Sequence, residues 1–332
     1  MEILSASEPD LQKAAAALSA GALVAFPTET VYGLGADAFN PSALARVFEA
    51  KNRPRFDPLI VHIAEMDALC RIVDMAALDK AAKERLSILS ERLWPGPLTL
   101  ILPKKAEVPD LVTAGLASVA VRFPSHPTAQ KLIRLVKGAI STGAVAAPSA
   151  NPFGFLSPTR AEHVKAQLGE KVDFIIDGGR TQVGLESTVL DLSQAPPRIL
   201  RPGGTPREAI EALIGAVSAG PPAENAEKPL SPGQLKSHYA PRTPLILCRQ
   251  GELASMPEAP GEGRLYFSSP PSPAGENARV LSESGELCEA AANLFDMLHD
   301  LDSLGLNLIR AEQAPEIGLG AAINDRLRRA AQ

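Results

Sequence analysis

The chain has 332 residues, 45% of them apolar and 21% charged, and a formal net charge of −5. That is enough apolar material for a large core and, by length, for about two domains. Residues 1–215 carry 23 basic and 23 acidic side chains and residues 216–332 carry 10 and 15, a balance that excludes a general nucleic-acid surface. The N-terminal stretch MEILSASEPD is acidic and lacks an apolar core of its own, unlike a secretory signal. No run approaches the ~18 apolar residues of a membrane span. Cys70, Cys248 and Cys288 are widely spaced and odd in number, which fits a reducing cytoplasm rather than a disulfide framework or a zinc site.

Taken in chain order, residues 8–20 read as an Ala-rich helix closed by Gly21, and ALVAF (22–26) as a buried strand. PSALARVFEAK (41–51) has helical spacing through Leu44, Val47 and Phe48. PLIVHI (58–63) and LTLIL (98–102) have strand length, with two helical segments between them around 66–92. ASVAVRFP (117–124) predicts a strand and PTAQKLIRLVK (127–137) a helix. VDFIID (172–177), STVLDLS (187–193) and PRILRPG (197–203) add strands. Strands and helices alternate, yet several strands follow one another directly, so we expect a mixed-sheet α/β domain over 1–215. Six prolines between Pro221 and Pro244 mark a linker, taken as 216–243. Beyond it, PLILCR, GRLYFSS, ARVL and LNLIRAE predict strands, while 284–304 and 320–331 predict helices, giving a small α/β unit over 244–332.

Several stretches admit two readings. In FPTETVYGLGADA (26–38), Gly33-x-Gly35-x-x-Ala38 follows a strand, but polar Thr28, Glu29 and Thr30 intervene and no acidic residue ends the next strand. A tight turn with glycine at positive φ is the plain alternative, although it leaves the Thr-Glu-Thr run unexplained. KNRPR (51–55) either complements a helix dipole or, with Asp57, forms a phosphate clamp with a metal or ribose contact nearby. Residues 101–150 hold six basic side chains against two acidic, which suits one small polyanion. No P-loop occurs. His62 inside LIVHI is either a core histidine or a ligand contact, and Arg122 inside VAVRFP faces either solvent or a buried anion. APSANPFGFLSPT (147–159) is either a set of helix-capping turns or a hydroxyl-lined rim.

The order of these motifs carries more than any one of them. FPTETVYGLGADA, KNRPRFDPLIVHI, LWPGPLTLIL, VAVRFPSHP, APSANPFGFLSPT, GLESTVLDL and ILRPGG together resemble the YrdC-domain family. The continuation through SPGQLKSHYAP to GLGAAINDRLRRA resembles its long, two-domain form, the L-threonylcarbamoyladenylate synthases. The resemblance implies a YrdC-like twisted mixed sheet with a basic concave face, then a linker and a small Rossmann-like domain. It implies condensation of L-threonine, hydrogencarbonate and ATP, with Mg²⁺, into threonylcarbamoyl-AMP and pyrophosphate. That product feeds a downstream threonylcarbamoyl transferase complex acting on tRNAs that read ANN codons, so tRNA is met at most indirectly, in the cytoplasm and away from membranes.

By position, the resemblance assigns Thr30, His62, Arg122, Ala147 and Ser187 to the threonine pocket, Arg122 on the carboxylate. It assigns Arg53, Asp57, Ser118, Ser149, Ser157 and Arg201 to ATP, with Lys51 supporting the phosphates. Ser118 and Phe153 depart from the family pattern, where Thr and a small polar residue are expected. The linker motif SPGQLKSHYAP either folds over the ATP site as a lid, with Ser231 and Gly233 shaping its turn and His238 or Tyr239 presented to the nucleotide, or is a packed tether that its aromatic anchors. A related carbamoyl-transfer module of hydrogenase maturation is excluded, because it needs cysteine-paired zinc fingers and an acylphosphatase-like segment. A non-enzymatic RNA-binding role conflicts with the charge balance.

Overall fold

The computed structural model describes residues 1–136, 143–220, 238–270 and 275–332. The strands of its larger sheet are β1 (Glu2–Ser5), β2 (Val24–Pro27), β3 (Tyr32–Asp37), β4 (Ile60–Ile63), β5 (Leu98–Pro103) and β6 (Ser118–Arg122). They continue with β7 (Ala144–Ala146), β8 (Phe174–Asp177), β9 (Thr188–Asp191), β10 (Arg198–Arg201) and β11 (Ser218–Ala219). In space the order is β1-β8-β2-β3-β7-β4-β6-β5-β9-β10-β11. Parallel pairs (β4 with β6, β5 with β9) adjoin antiparallel ones (β5 with β6, β9 with β10), which is the mixed sheet the strand succession predicts.

Eight helices accompany this sheet among the described residues: α1 (Glu8–Ser19), α2 (Pro41–Lys51), α3 (Met66–Ile72), α4 (Lys80–Leu93), α5 (Asp110–Thr113), α6 (Pro127–Leu135), α7 (Ala161–Leu168) and α8 (Arg207–Ile214). The bounds of α2 show why local sequence suffices there. Asn40 caps its first turn by accepting from the Ser42 and Ala43 N–H groups, Pro41 takes the first helical position, and Asn52 ends it at φ 51°. One sheet face packs Leu44, Val61, Leu69, Leu86, Leu100 and Val121 into the main core. The other face is covered in part by α1 and α6, through Leu11, Leu18, Leu132 and Ile133 against Val24, Phe26 and Val145.

The structure corrects the reading of Gly33 and Gly35. Both lie inside β3, not in a turn, and neither has positive φ. A Cβ on Gly35 would come within 2.8 Å of the Phe26 ring and 3.0 Å of Val145. The glycines are there for close packing. β1 and β7 carry no distinctive sequence signal: one is a short, mostly exposed edge strand, the other three small residues.

The smaller domain has a parallel four-stranded sheet, ordered β12 (Leu245–Cys248), β15 (Leu308–Glu312), β13 (Glu262–Tyr266), β14 (Ala278–Val280), with helices α9 (Leu287–Ser303) and α10 (Gly320–Ala330). At the carboxyl end of β15, buried Glu312 accepts from the Leu253 and Phe267 N–H groups, so a protein carboxylate fills the place where such sheets hold ligands. Residues 221–237, with Ser231 and Gly233 among them, lie outside the described residues. No helix among those described is long and apolar enough to cross a membrane.

The two domains share one core. Val31, Leu156 and Leu185 of the larger pack with Tyr239 against Leu294, Phe295 and Leu298 of α9 and Ile323 and Leu327 of α10. Around this contact Arg160 holds Asp296 through two hydrogen bonds of 2.6 and 2.9 Å, and His163 stacks on His299 at 3.9 Å. The loop at Gly184 makes the approach possible. Its φ is +70°, and a Cβ there would fall 2.5 Å from the Ala291 carbonyl oxygen in α9. Gly184→Ala should lower stability by about 1–3 kcal/mol through forced separation of loop and helix. Thermal unfolding checks this, and an unchanged melting temperature would show that the loop yields freely.

Candidate active site

The central strands of the large sheet are buried on both faces, so their polar residues stand out. Register aligns these residues in one row. Val145 of β7 pairs with His62 of β4, His62 with Arg122 of β6, and Arg122 with Thr99 of β5. Thr99 pairs with Val189 of β9, and Val189 with Arg201 of β10. Paired residues share a face, so His62, Arg122, Thr99 and Arg201 project together. Two residues along, the row becomes apolar, with Ile60, Ala120 and Ile101 packed beside Val189 and Leu200.

A small cavity of about 40 Å³ lies over this floor. Among the residues singled out from the sequence, Arg53, His62, Arg122, Ala147, Ser149, Ser187, Arg201, His238 and Tyr239 line it. Strands supply His62, Arg122 and Arg201; the turn after α2 supplies Arg53; loops supply Ser149 and Ser187. Arg53 donates to the Pro58 and Asp57 carbonyls at 2.7 and 3.1 Å and pairs with the Asp57 carboxylate at 2.9 Å. Arg201 donates to the Ser187 carbonyl at 2.9 Å, and the Ser187 hydroxyl lies 2.7 Å from that of Thr99. These contacts fix the guanidinium groups in a buried setting.

The other candidates lie behind the lining. Lys51 donates to the Ser149 and Asn151 carbonyls, so it props the loop rather than entering the cavity. Burial, helped by the charge of Arg53, pushes its ammonium well below the usual lysine range. Asp57 is engaged by Arg53, Thr30 lies 2.7 Å from the Thr28 hydroxyl, and Ser157 donates to Glu186. Ser118 sits at the start of β6, four residues before Arg122 and on the same face. Arg55, the third cation of KNRPR, is exposed.

Three residues of consequence were not assigned to the site. Glu186 lines the cavity and is held by Arg326 of α10 at 2.7 Å. Arg326 is 1% exposed; it also donates to the Pro202 carbonyl at 3.0 Å and stands 4.9 Å over the Tyr239 ring. Burial alone would raise the Glu186 carboxyl, but Arg326, Arg201 and the Ser157 hydroxyl together bring it below its ordinary value. The third is Glu29, 2.7 Å from Arg122. Glu186 belongs to the GLESTVLDL motif; nothing local distinguishes Arg326 on a basic helix face.

His238 meets the Phe153 ring edge-on at 5.4 Å, and Phe153 also faces Arg53 at 5.8 Å. Tyr239 has φ 63°, an uncommon conformation for a bulky residue. The His238 Nδ1 and Tyr239 hydroxyl are buried without a hydrogen-bond partner. Together these features describe a partly open cavity with three guanidinium groups and unsatisfied polar atoms from the larger domain and the linker, suited to small anionic ligands.

Comparison with known proteins agrees with that class. Residues 16–203 match the Sua5_yciO_yrdC family model, described as telomere recombination, and residues 205–332 match the threonylcarbamoyl-AMP synthase C-terminal domain. The chain belongs to the YrdC-domain family. More particularly, it has the long, two-domain form of the threonylcarbamoyl-AMP synthases. It is 43% identical to the Pyrococcus abyssi threonylcarbamoyl-AMP synthase over 96% of this chain and 92% of that one, and 42% identical to the Bacillus subtilis enzyme over 99% and 94%. The crystal structure of P. abyssi Sua5 complexed with L-threonine is similar with a TM-score of 0.88 and 39% identity, covering 100% of this chain and 98% of that one.

His62 and His238 are both held neutral, their pKa values lowered from 6.5 to about 3. Burial is the main cause, with Arg122 adding to it at His62. The unfolded imidazoles bind protons that the folded ones refuse. This contribution to stability is therefore complete above about pH 6.5 and declines as pH falls below it. The denaturant midpoint should be lower at pH 5 than at pH 7, and His62→Gln should narrow the difference. A difference unaltered in the variant would contradict this role for His62.

Proposed function

We propose that this cavity brings L-threonine and ATP together and, with hydrogencarbonate, forms L-threonylcarbamoyl-AMP and pyrophosphate. The observation that carries the reading is the convergence of Arg53, Arg122 and Arg201 on one cavity floored by the sheet. Two anionic partners must be brought into reacting distance there, and the phosphates need cations. The family membership and the L-threonine complex of the P. abyssi relative support the substrate assignment.

In this reading Arg122 takes the threonine carboxylate, while His62, Ala147, Ser187 and, one layer back, Thr30 shape the rest of the pocket. Arg53 and Arg201 take the phosphates, with Ser149 and Ser118 toward the nucleoside. Lys51, Asp57 and Ser157 hold these groups in place. Tyr239 and His238 close the mouth, and their unpartnered hydroxyl and Nδ1 have bonding capacity for nucleotide. The amine takes up carbon from hydrogencarbonate, and the carbamate oxygen attacks the α-phosphorus with pyrophosphate leaving. No enzyme nucleophile is required.

Mg²⁺ would enter on the triphosphate, keeping several waters. Among the described residues no three His, Cys, Asp or Glu side chains cluster as a ready cage, which suits an ion held chiefly by substrate oxygens. The product would pass to a threonylcarbamoyl transferase complex acting on tRNA. We place the enzyme in the cytoplasm, where cysteines such as unpaired Cys70, Cys248 and Cys288 stay reduced.

Pyrophosphate release should require threonine and hydrogencarbonate together, and release indifferent to threonine would end the assignment. Arg122→Lys keeps the charge opposite Glu29 but loses the planar fork. It should raise the threonine KM at least about tenfold and leave the ATP KM within about twofold. Equal loss for both substrates would mean that the pocket is divided wrongly.

A further inference from the structure

We propose that Glu29 receives the ammonium group of the bound amino acid and takes its proton as the nitrogen attacks carbon. The inference rests on the reading of the cavity as the site for threonine and ATP. Glu29 is 2% exposed, and its Oε1 lies 2.7 Å from Nη2 of Arg122, which lines the cavity. Despite that distance neither oxygen of Glu29 completes a hydrogen bond, nor do Nε and Nη2 of Arg122. The two groups are close but misaligned. A buried pair with so much unused bonding capacity is suited to a ligand that bonds to both members.

The charges point to the kind of ligand. Arg122 and Glu29 cancel one another, so the empty pair is neutral. An amino-acid zwitterion leaves the total at zero, with carboxylate on Arg122 and ammonium on Glu29. A simple carboxylate would leave one uncompensated negative charge in a buried site, which is costly. The groups facing Glu29 support this division. His126, at the N-cap of α6, is half-buried and lowered by burial, with the Glu29 charge opposing. His62 on β4 lies beside Arg122 and is held neutral. In the neighbouring loop Arg180 is turned away to Asp296 and Asn293, while the Val183 N–H holds the Glu29 carbonyl at 2.7 Å. Among the described residues Arg122 is the ion-pair partner of Glu29.

The chemistry needs such a group, because an ammonium has no lone pair. One ammonium proton passes to Glu29, and the nitrogen then forms a bond to the carbon of hydrogencarbonate. The C–OH bond breaks, and the hydroxide departs as water with the second nitrogen proton. The carbamate keeps one N–H, and Glu29 returns its proton to solvent before the next turnover. Ammonium and hydrogencarbonate thus give carbamate, water and one proton.

The test uses the full-length enzyme, L-threonine and its analogue with hydroxyl in place of the α-amine. By calorimetry the wild type should bind threonine at least about 100-fold more tightly than the analogue, and Glu29→Gln should lose most of that preference. In steady state Glu29→Gln should lower kcat/KM for threonine about 100-fold at pH 7. The loss should shrink toward about pH 9.5, where free amine is abundant. The ATP KM should stay within about twofold, and Glu29→Asp should recover part of the rate. Equal binding of threonine and analogue by the wild type would overturn the proposal, as would a loss of the same size at every pH. If Glu29→Gln fails to fold, the wild-type comparison decides alone. Wild-type enzyme that releases no threonine-dependent pyrophosphate would instead remove the assignment of the cavity.

Discussion

The contact on which the site most depends joins residues 140 positions apart, Arg326 of the last helix and Glu186 of the cavity wall. A carboxylate so deeply buried is stable only beside a partner. Here the partner comes from the smaller domain, and the same guanidinium lies over the Tyr239 ring. One side chain therefore governs the charge of the cavity wall and the seat of Tyr239, which lines it. The small domain is part of the site's construction.

The rest of the cavity follows the same rule of buried charge held by a fixed partner. Arg53 has Asp57 and two carbonyls, Arg201 has the Ser187 carbonyl, and Lys51 has the loop at 149–151. These bonds orient donors before any ligand arrives, which lets a site stabilise an anion without reorganising. The Asp57 and Glu29 carboxylates both lie close to an arginine without completing hydrogen bonds, but Arg53 has its two carbonyls whereas Nε and Nη2 of Arg122 are left without a hydrogen-bond partner. That is where a ligand with both charges is best accommodated.

Much of the fold was legible because it rests on local patterns. The spacing of α2, the apolar strand runs and the helix expected over 284–304 all read correctly. His62 and Arg122 were visible as polar interruptions in strands, and both line the cavity. Gly35 misled because glycine usually signals a turn, whereas here it makes room for Phe26 across the sheet. KNRPR looked like a three-pronged clamp, yet α2 ends so that Lys51 points into a loop, Arg53 into the cavity and Arg55 outward. Arg326 was invisible, since its importance arises only when α10 docks on the larger domain. Pattern identifies which residues are unusual, and packing decides which of them meet.

The claim that the last helix completes the ligand site can be measured as a coupling. Arg326→Met, Glu186→Gln and the double variant should each be titrated with ATP in a calorimeter. Either single change should weaken ATP binding at least about tenfold and the double change should be no worse than the weaker single variant, a coupling above about 1 kcal/mol. Effects that add within about 0.5 kcal/mol, or ATP affinity unchanged in all three, would contradict it.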